Sequence, residues 1–186
     1  MTGWCSVKKA VEEIETNQVI SRWSDNSGKI WDKNHTKEIA DAIFLDRKEK
    51  DISNLSKEDI YKAFTSIGGE NGWFDYDFLW ETRGFIDKMI GGVGLKRGRR
   101  DPNKLRIGES LDFWKVVDVK QNERLLLYAQ MKVPGNAWLE FKIEDNKLIQ
   151  SAYFYPKGVL GRLYWYTLIP IHYLVFNNMI NSIIKK

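Results

Sequence analysis

Asn136-Ala137-Trp138-Leu139-Glu140-Phe141-Lys142-Ile143-Glu144, the pair Asp145-Asn146, and Lys147-Leu148-Ile149-Gln150-Ser151-Ala152-Tyr153-Phe154-Tyr155 are the stretch whose reading decides the fold. Ala137, Leu139, Phe141 and Ile143 alternate with Asn136, Trp138, Glu140, Lys142 and Glu144. A period of two sends the two sets to opposite faces of a strand, one of them inward. The Asp-Asn link leaves room only for a tight antiparallel return.

Working outward, two more strand-like runs precede these, at about 109–119 and 123–133, with turn signals at Lys120-Gln121-Asn122 and Pro134-Gly135. Downstream, about Leu160 to Ile184 reads as one long helix that Pro170 should kink. Upstream, Ile43-Phe44-Leu45 opens a strand over about 42–52. Ser56-Lys57-Glu58-Asp59 has capping-box character and predicts a helix through Phe64 to Ile67, ended by Gly68-Gly69. A second helix is predicted over Tyr76 to Ile90, where Leu79, Trp80, Phe85, Ile86 and Met89 share one broad face, and Gly91-Gly92-Val93-Gly94 stops it. Near the start, Ser6 can cap a helix to about Asn17, and residues 24–36 are a polar linker.

This order predicts an α+β fold in which a sheet grips a helix. A curved antiparallel sheet wraps a long C-terminal helix, with two helices inserted after the first strand and a small-molecule cavity between sheet and helix. The expected division is 1–35, N-terminal helix and linker, and 36–186, the helix-grip-like domain.

Composition narrows the function without choosing it. The chain has 186 residues, 43% hydrophobic and 29% charged, an ordinary globular balance. A single Cys5 excludes a disulfide framework, and two histidines, His35 and His172, argue against structural zinc; no metal or cofactor is expected. Aromatic residues make up 13%, so ring surface needs a large core or a pocket. The net charge of +4 is concentrated at Lys96, Arg97, Arg99, Arg100, Lys104 and Arg106, while acid and base nearly balance elsewhere. The first four of these are candidates for contact with an anion or a partner. The patch is short and lacks interleaved aromatics, which argues against nucleic acid. Met1-Thr2-Gly3-Trp4-Cys5 runs straight into charged helix sequence, so no signal peptide and a cytoplasmic location are expected. Leu163 to Ile184 carries no formal charge and has the length of a membrane span. Its Pro170, His172, Asn177, Asn178, Asn181 and Ser182 are costly in hydrocarbon, which favours a packed helix.

Motifs give little chemistry. The run Gly91 to Gly98 has neither the Gly-Lys-Ser/Thr of a P-loop nor dinucleotide-binding spacing. Asp77 and Glu81 share a helix face, and their ordinary reading is as acids near a helix start. Asp112, beside Phe113 and Trp114, is placed where a strand could turn it into a cavity. His172 is either a satisfied core histidine or a donor or acid lining a pocket. No Gly-x-Ser-x-Gly elbow is present.

Longer blocks carry a resemblance. Ile67-Gly68-Gly69 through Gly72-Trp73, then Leu79-Trp80 and Arg83-Gly84-Phe85-Ile86-Asp87-Lys88-Met89-Ile90-Gly91-Gly92 into Arg99-Arg100, are its first part. Asp112-Phe113-Trp114-Lys115-Val116, Met131-Lys132-Val133-Pro134-Gly135 and Pro156-Lys157-Gly158-Val159-Leu160-Gly161-Arg162-Leu163-Tyr164-Trp165-Tyr166 complete it. Over about residues 38–184 the chain resembles domain-of-unknown-function family 2867, found behind NAD(P)-binding domains of the short-chain-dehydrogenase or epimerase type. The resemblance implies a helix-grip fold of the START or pollen-allergen kind. It also implies that residues 1–35 are the tail of a nucleotide-binding domain whose cofactor-holding part is missing, as in a split gene, a fragment or a truncation. No catalytic residue is carried over.

The resulting expectation is a small-molecule-binding domain for hydrophobic or aromatic ligands. It would be non-catalytic by itself and auxiliary to an NAD(P)-dependent dehydrogenase-like partner. Trp73, Trp80, Trp114, Trp138, Tyr164, Trp165 and His172 are the candidate lining, with Arg83 and Asp112 as polar anchors. Two rivals stand beside it: a cyclase- or dehydratase-like enzyme using Asp112 and His172, and a membrane-associated protein using residues 163–184.

Overall fold

Alternating apolar residues assemble six strands into one antiparallel sheet. The computed structural model describes residues 42–68, 72–75 and 104–185. In chain order the elements are β1 (Phe44–Asp51), α1 (Lys57–Thr65), β2 (Gly72–Asp75), β3 (Ser110–Leu111), β4 (Trp114–Lys120), β5 (Arg124–Ala129), β6 (Gly135–Glu144), β7 (Lys147–Pro156) and α2 (Gly158–Lys185). The spatial order is β1-β7-β6-β5-β4-β3, so the first strand closes against the last and forms one edge. This is the α+β, helix-grip-like architecture expected, a curved sheet with a long C-terminal helix.

The β6–β7 hairpin has the register the alternation demands: Leu139 faces Ala152, Phe141 faces Gln150 and Ile143 faces Leu148. Asp145 and Asn146 both take positive φ, 47° and 58°, as a two-residue hairpin turn requires. Ser56 caps α1 by accepting from the Asp59 N–H at 3.4 Å. The run expected as a single strand over 109–119 is instead a short hairpin. Asp112, at φ 53°, turns the chain between β3 and β4, a conformation that Asp tolerates better than most residues. A register shift between Val116 and Asp118 then bends β4.

One face of the sheet carries the core. Leu125, Leu127, Leu139, Phe141 and Leu148 are fully buried there, with Ile60 and Phe64 of α1 packed into the same cluster. The second half of α2 covers them with Phe176, Met179, Ile180 and Ile183, spaced at i, i+3, i+4 and i+7. Leu126, Tyr128 and Trp138 form a separate cluster on the opposite face. The first half of α2 behaves differently: Gly161 and Trp165 are buried, while Val159, Leu160, Leu163 and Tyr166 are exposed. No described helix is long and apolar enough to cross a membrane. The expected helices over 6–17 and 76–90, the linker at 24–36 and the glycine-rich run all lie outside the described residues.

Gly161 and Gly135 fix how α2 leaves the sheet. A β-carbon on Gly161 would collide with the Pro134 carbonyl oxygen and lie 2.8 Å from Pro156 Cβ. On Gly135 it would meet the Tyr155 carbonyl oxygen and the Phe154 ring. These contacts let the helix start cross the β6 entrance at backbone distance. Gly161→Ala is therefore expected to cost about 1–3 kcal/mol by overpacking. Leu160→Ala, at a position 73% exposed, should stay within about 0.5 kcal/mol. Urea unfolding of the two variants checks this.

Candidate functional site

Edge strand β1 places Phe44, Asp46 and Lys48 on the inner face, each half-buried, while Leu45, Arg47 and Glu49 point outward and are exposed. Its register with β7 sets Phe44 opposite Phe154, Asp46 opposite Ala152 and Lys48 opposite Gln150. The Lys48 ammonium lies 3.3 Å from Asp46 Oδ1, with side chains only 15% and 22% exposed, and 4.9 Å from the centroid of the Tyr173 ring on α2. His172, next on the helix, contacts Trp165 edge-on at 5.0 Å and Phe176 at 4.9 Å. Trp165 in turn stacks on Phe154 at 5.6 Å and on Phe44 at 5.3 Å. The result is a wall of stacked rings beside four polar side chains, Asp46, Lys48, Gln150 and His172, beneath the helix near the β1 edge.

Three buried polar atoms without a hydrogen-bond partner lie here. Gln150 is 1% exposed, and neither its Nε2 nor its Oε1 has a partner; His172 Nδ1 is also buried without one. Buried amides are ordinarily paired, and leaving one unpaired costs about 1–3 kcal/mol. Burial pushes the His172 imidazole down to about 4; the Asp46 carboxylate pulls it up and the Lys48 ammonium pushes it down, so these two oppose each other. At neutral pH the ring is therefore uncharged and holds one N–H donor and one acceptor nitrogen. A neutral amide, a neutral imidazole and an internally paired Lys–Asp couple make an apolar-walled site with no net charge. Its unpartnered atoms are those of neutral groups, an amide and an imidazole. An imidazole with so low an affinity for protons is a poor general base at neutral pH.

The sequence-derived residues divide among several places. Tyr164, Trp165 and His172 lie on the helix at or beside this site, with Tyr164 against Phe154 at 5.9 Å. Trp73, Asp112 and Trp114 cluster at the β3–β4 edge of the sheet, opposite β1. The Trp73 indole N–H donates to Asp112 Oδ2 at 2.8 Å, and Trp73 stacks on Phe113 at 5.6 Å. Trp114 Nε1 is buried there without a partner. Trp138 faces the opposite side of the sheet, tilted on Tyr128 at 5.6 Å. Trp80, Arg83, Lys96, Arg97, Arg99 and Arg100 lie outside the described residues. The suggested Asp112–His172 pair is not brought together, since Asp112 turns the β3–β4 hairpin and His172 lies by β1, the opposite edge of the sheet.

Sequence reasoning missed Asp46, Lys48 and Gln150. The available signal was a polar residue interrupting an inward alternation, Gln150 between Leu148 and Ala152, and two opposite charges two residues apart on one strand face.

A groove of about 380 Å³ also opens on the outer face, lined by Arg47, Lys120, Arg124, Lys142, Glu140 and Tyr153 among others. Its charges pair with each other. Arg124 meets Glu140 at 2.5 Å and Asp118 at 3.1 Å, and Tyr153 donates to Glu140 Oε2 at 2.8 Å. Burial and the Glu140 carboxylate raise the Tyr153 phenol. This satisfied network braces the outer face and leaves no orphaned group to recruit a ligand. Among the described residues no three His, Cys, Asp or Glu side chains gather to hold a metal ion.

A family model described as "Protein of unknown function (DUF2867)" matches residues 39–179. Among curated proteins nothing matches. Among solved structures the chain is similar to Protein CV1439 from Chromobacterium violaceum, at 12% identity and a TM-score of 0.40, covering 76% of this chain and 95% of that one.

The depressed imidazole predicts a pH dependence. The unfolded chain has His172 near 6.5 and the folded chain near 4. As pH falls through 6.5 the unfolded state takes up the proton first. The contribution is therefore complete above about 6.5, declines toward pH 4 and changes no further below it. The loss amounts to about 3 kcal/mol. Denaturation midpoints measured across this range should show that slope in the wild type and lose this component in His172→Leu.

Proposed function

Because the chain belongs to the DUF2867 family, which carries no assigned activity, we propose from the geometry that it binds a small molecule between the sheet and α2. The chain is non-catalytic by itself in this reading. The observation that carries it is the buried Gln150 amide, which lacks a partner for both of its polar atoms, while the His172 imidazole on the helix that covers the sheet is in the same state at Nδ1. The occupant has a flat or aromatic body that packs against Phe44, Phe154 and Trp165. Its polar edge places an acceptor beside a donor, as in a lactam, an imide or a primary carboxamide, and pairs with Gln150 through two parallel hydrogen bonds. Charged ligands are disfavoured, because Lys48 and Asp46 already neutralise each other. An auxiliary role beside an NAD(P)-dependent dehydrogenase-like partner is supported by the family resemblance alone.

Gln150→Leu separates a ligand-binding amide from a structural one. Removing an unpaired amide relieves its desolvation cost, so the apo protein should be unchanged or more stable by about 1 kcal/mol. Retention of the co-purifying small molecule, read by native mass spectrometry without detergent, should fall at least tenfold. A wild type that carries no small molecule, or a Gln150→Leu protein that retains it undiminished, contradicts the proposal.

A further inference from the structure

We propose that the exposed half of α2 is a homodimer interface, in which the helix pairs antiparallel with the α2 of a second copy about Tyr166. Between Val159 and Leu174, eight large apolar side chains stand 44–73% exposed. Together they leave on the order of 1,000 Å² of apolar surface in water, beyond the largest patch of roughly 300–600 Å² on a typical monomer. A helix laid along one line of this surface covers only part of it, which places the contact toward the low end of a standard-size interface of roughly 800 Å² per partner.

The pattern within the patch selects the occupant. Val159, Leu163, Tyr166, Pro170 and Tyr173 recur at alternating steps of four and three, the seam spacing of paired helices. Exposures of 73% at Val159, 58% at Leu163 and 60% at both Tyr166 and Tyr173 leave most of this seam in water, although Tyr166 meets the Phe44 ring edge-on and Tyr173 lies over the Lys48 ammonium. The spacing is close to palindromic about Tyr166. Reversing a second copy on that residue sets each Val159 against the other copy's Tyr173, and closes a two-fold contact made from one patch. Arg162 is the one formal charge from Gly158 to Ile184. Antiparallel pairing keeps the two Arg162 residues apart, whereas parallel pairing would bring them together. A helix lying on a lipid surface has a polar face rich in Lys and Arg turned to water. In α2 the face opposite the patch is instead buried on the sheet, through Gly161 and Trp165.

The test is sedimentation of the full chain at micromolar concentration, without detergent. The wild type is expected to be a dimer. Val159→Lys and Tyr173→Glu, both at largely exposed positions and with the fold checked by circular dichroism, should each weaken dimerisation at least tenfold. The double variant Val159→Lys/Tyr173→Glu should restore it, since each end of an antiparallel seam then pairs a lysine with a glutamate. A dimer unaffected by either single variant overturns the proposal, and so does a double variant that stays monomeric. So does a monomeric wild type, whether its α2 cross-links to residues 1–41 or binds phosphatidylcholine–phosphatidylserine vesicles.

Discussion

Among the described residues, one long helix and one short one have to cover a sheet face much wider than either, and the remaining features follow from how they do so. Six strands span roughly 24 Å across at about 4.8 Å per neighbour, whereas a helix with its side chains is about 10–12 Å across. The second half of α2 solves its share with Phe176, Met179, Ile180 and Ile183, and α1 adds Ile60 and Phe64. The first half is held differently. It is pinned at its start by the close approach of Gly161 to Pro134, and farther on by the stack of Trp165 on Phe44 and Phe154. Between the pin and the apolar seal the sheet presents Asp46, Lys48 and Gln150 to the helix, where an ordinary core would present aliphatic side chains.

That arrangement spends stability in a specific place. An inward Leu at position 150 would continue the series of Leu148, Ala152 and Phe154 at no polar cost. The amide there is buried without partners, and the neighbouring imidazole is held neutral by burial. Departures of this kind from a locally consistent core concentrate at functional sites. The outer face makes an instructive contrast. It too buries a carboxylate, Glu140, but Arg124 and Tyr153 satisfy both of its oxygens. A satisfied network braces the outer face, whereas on the inner face the Gln150 amide stays buried without a partner.

The fold was legible in the sequence because its signals are local. Alternation gave β6 and β7, the Asp145-Asn146 pair gave their turn, and Ser56 with Asp59 gave the start of α1. The break at Asp112 was not legible, since a single Asp within an apolar run looks the same whether it lies in a strand or adopts the left-handed conformation. The candidate site was legible only on its helical side, where Trp165 and His172 stood out by residue type. Asp46, Lys48 and Gln150 come from strands separated by about a hundred residues, and only the β1–β7 register brings them together. Trp138 shows the converse limit. An abundant aromatic is no guide to which face it occupies, and this one packs with Tyr128 away from the helix.

The most direct test of the central claim is a high-resolution crystal structure of the chain as purified, read at the Gln150 amide. The account predicts density for a small organic molecule, with polar atoms about 2.7–3.2 Å from both Gln150 Nε2 and Oε1, and its body against Trp165. An amide rotated onto Lys48 or Asp46, or one satisfied by water alone in a site closed by the surrounding rings, would contradict it.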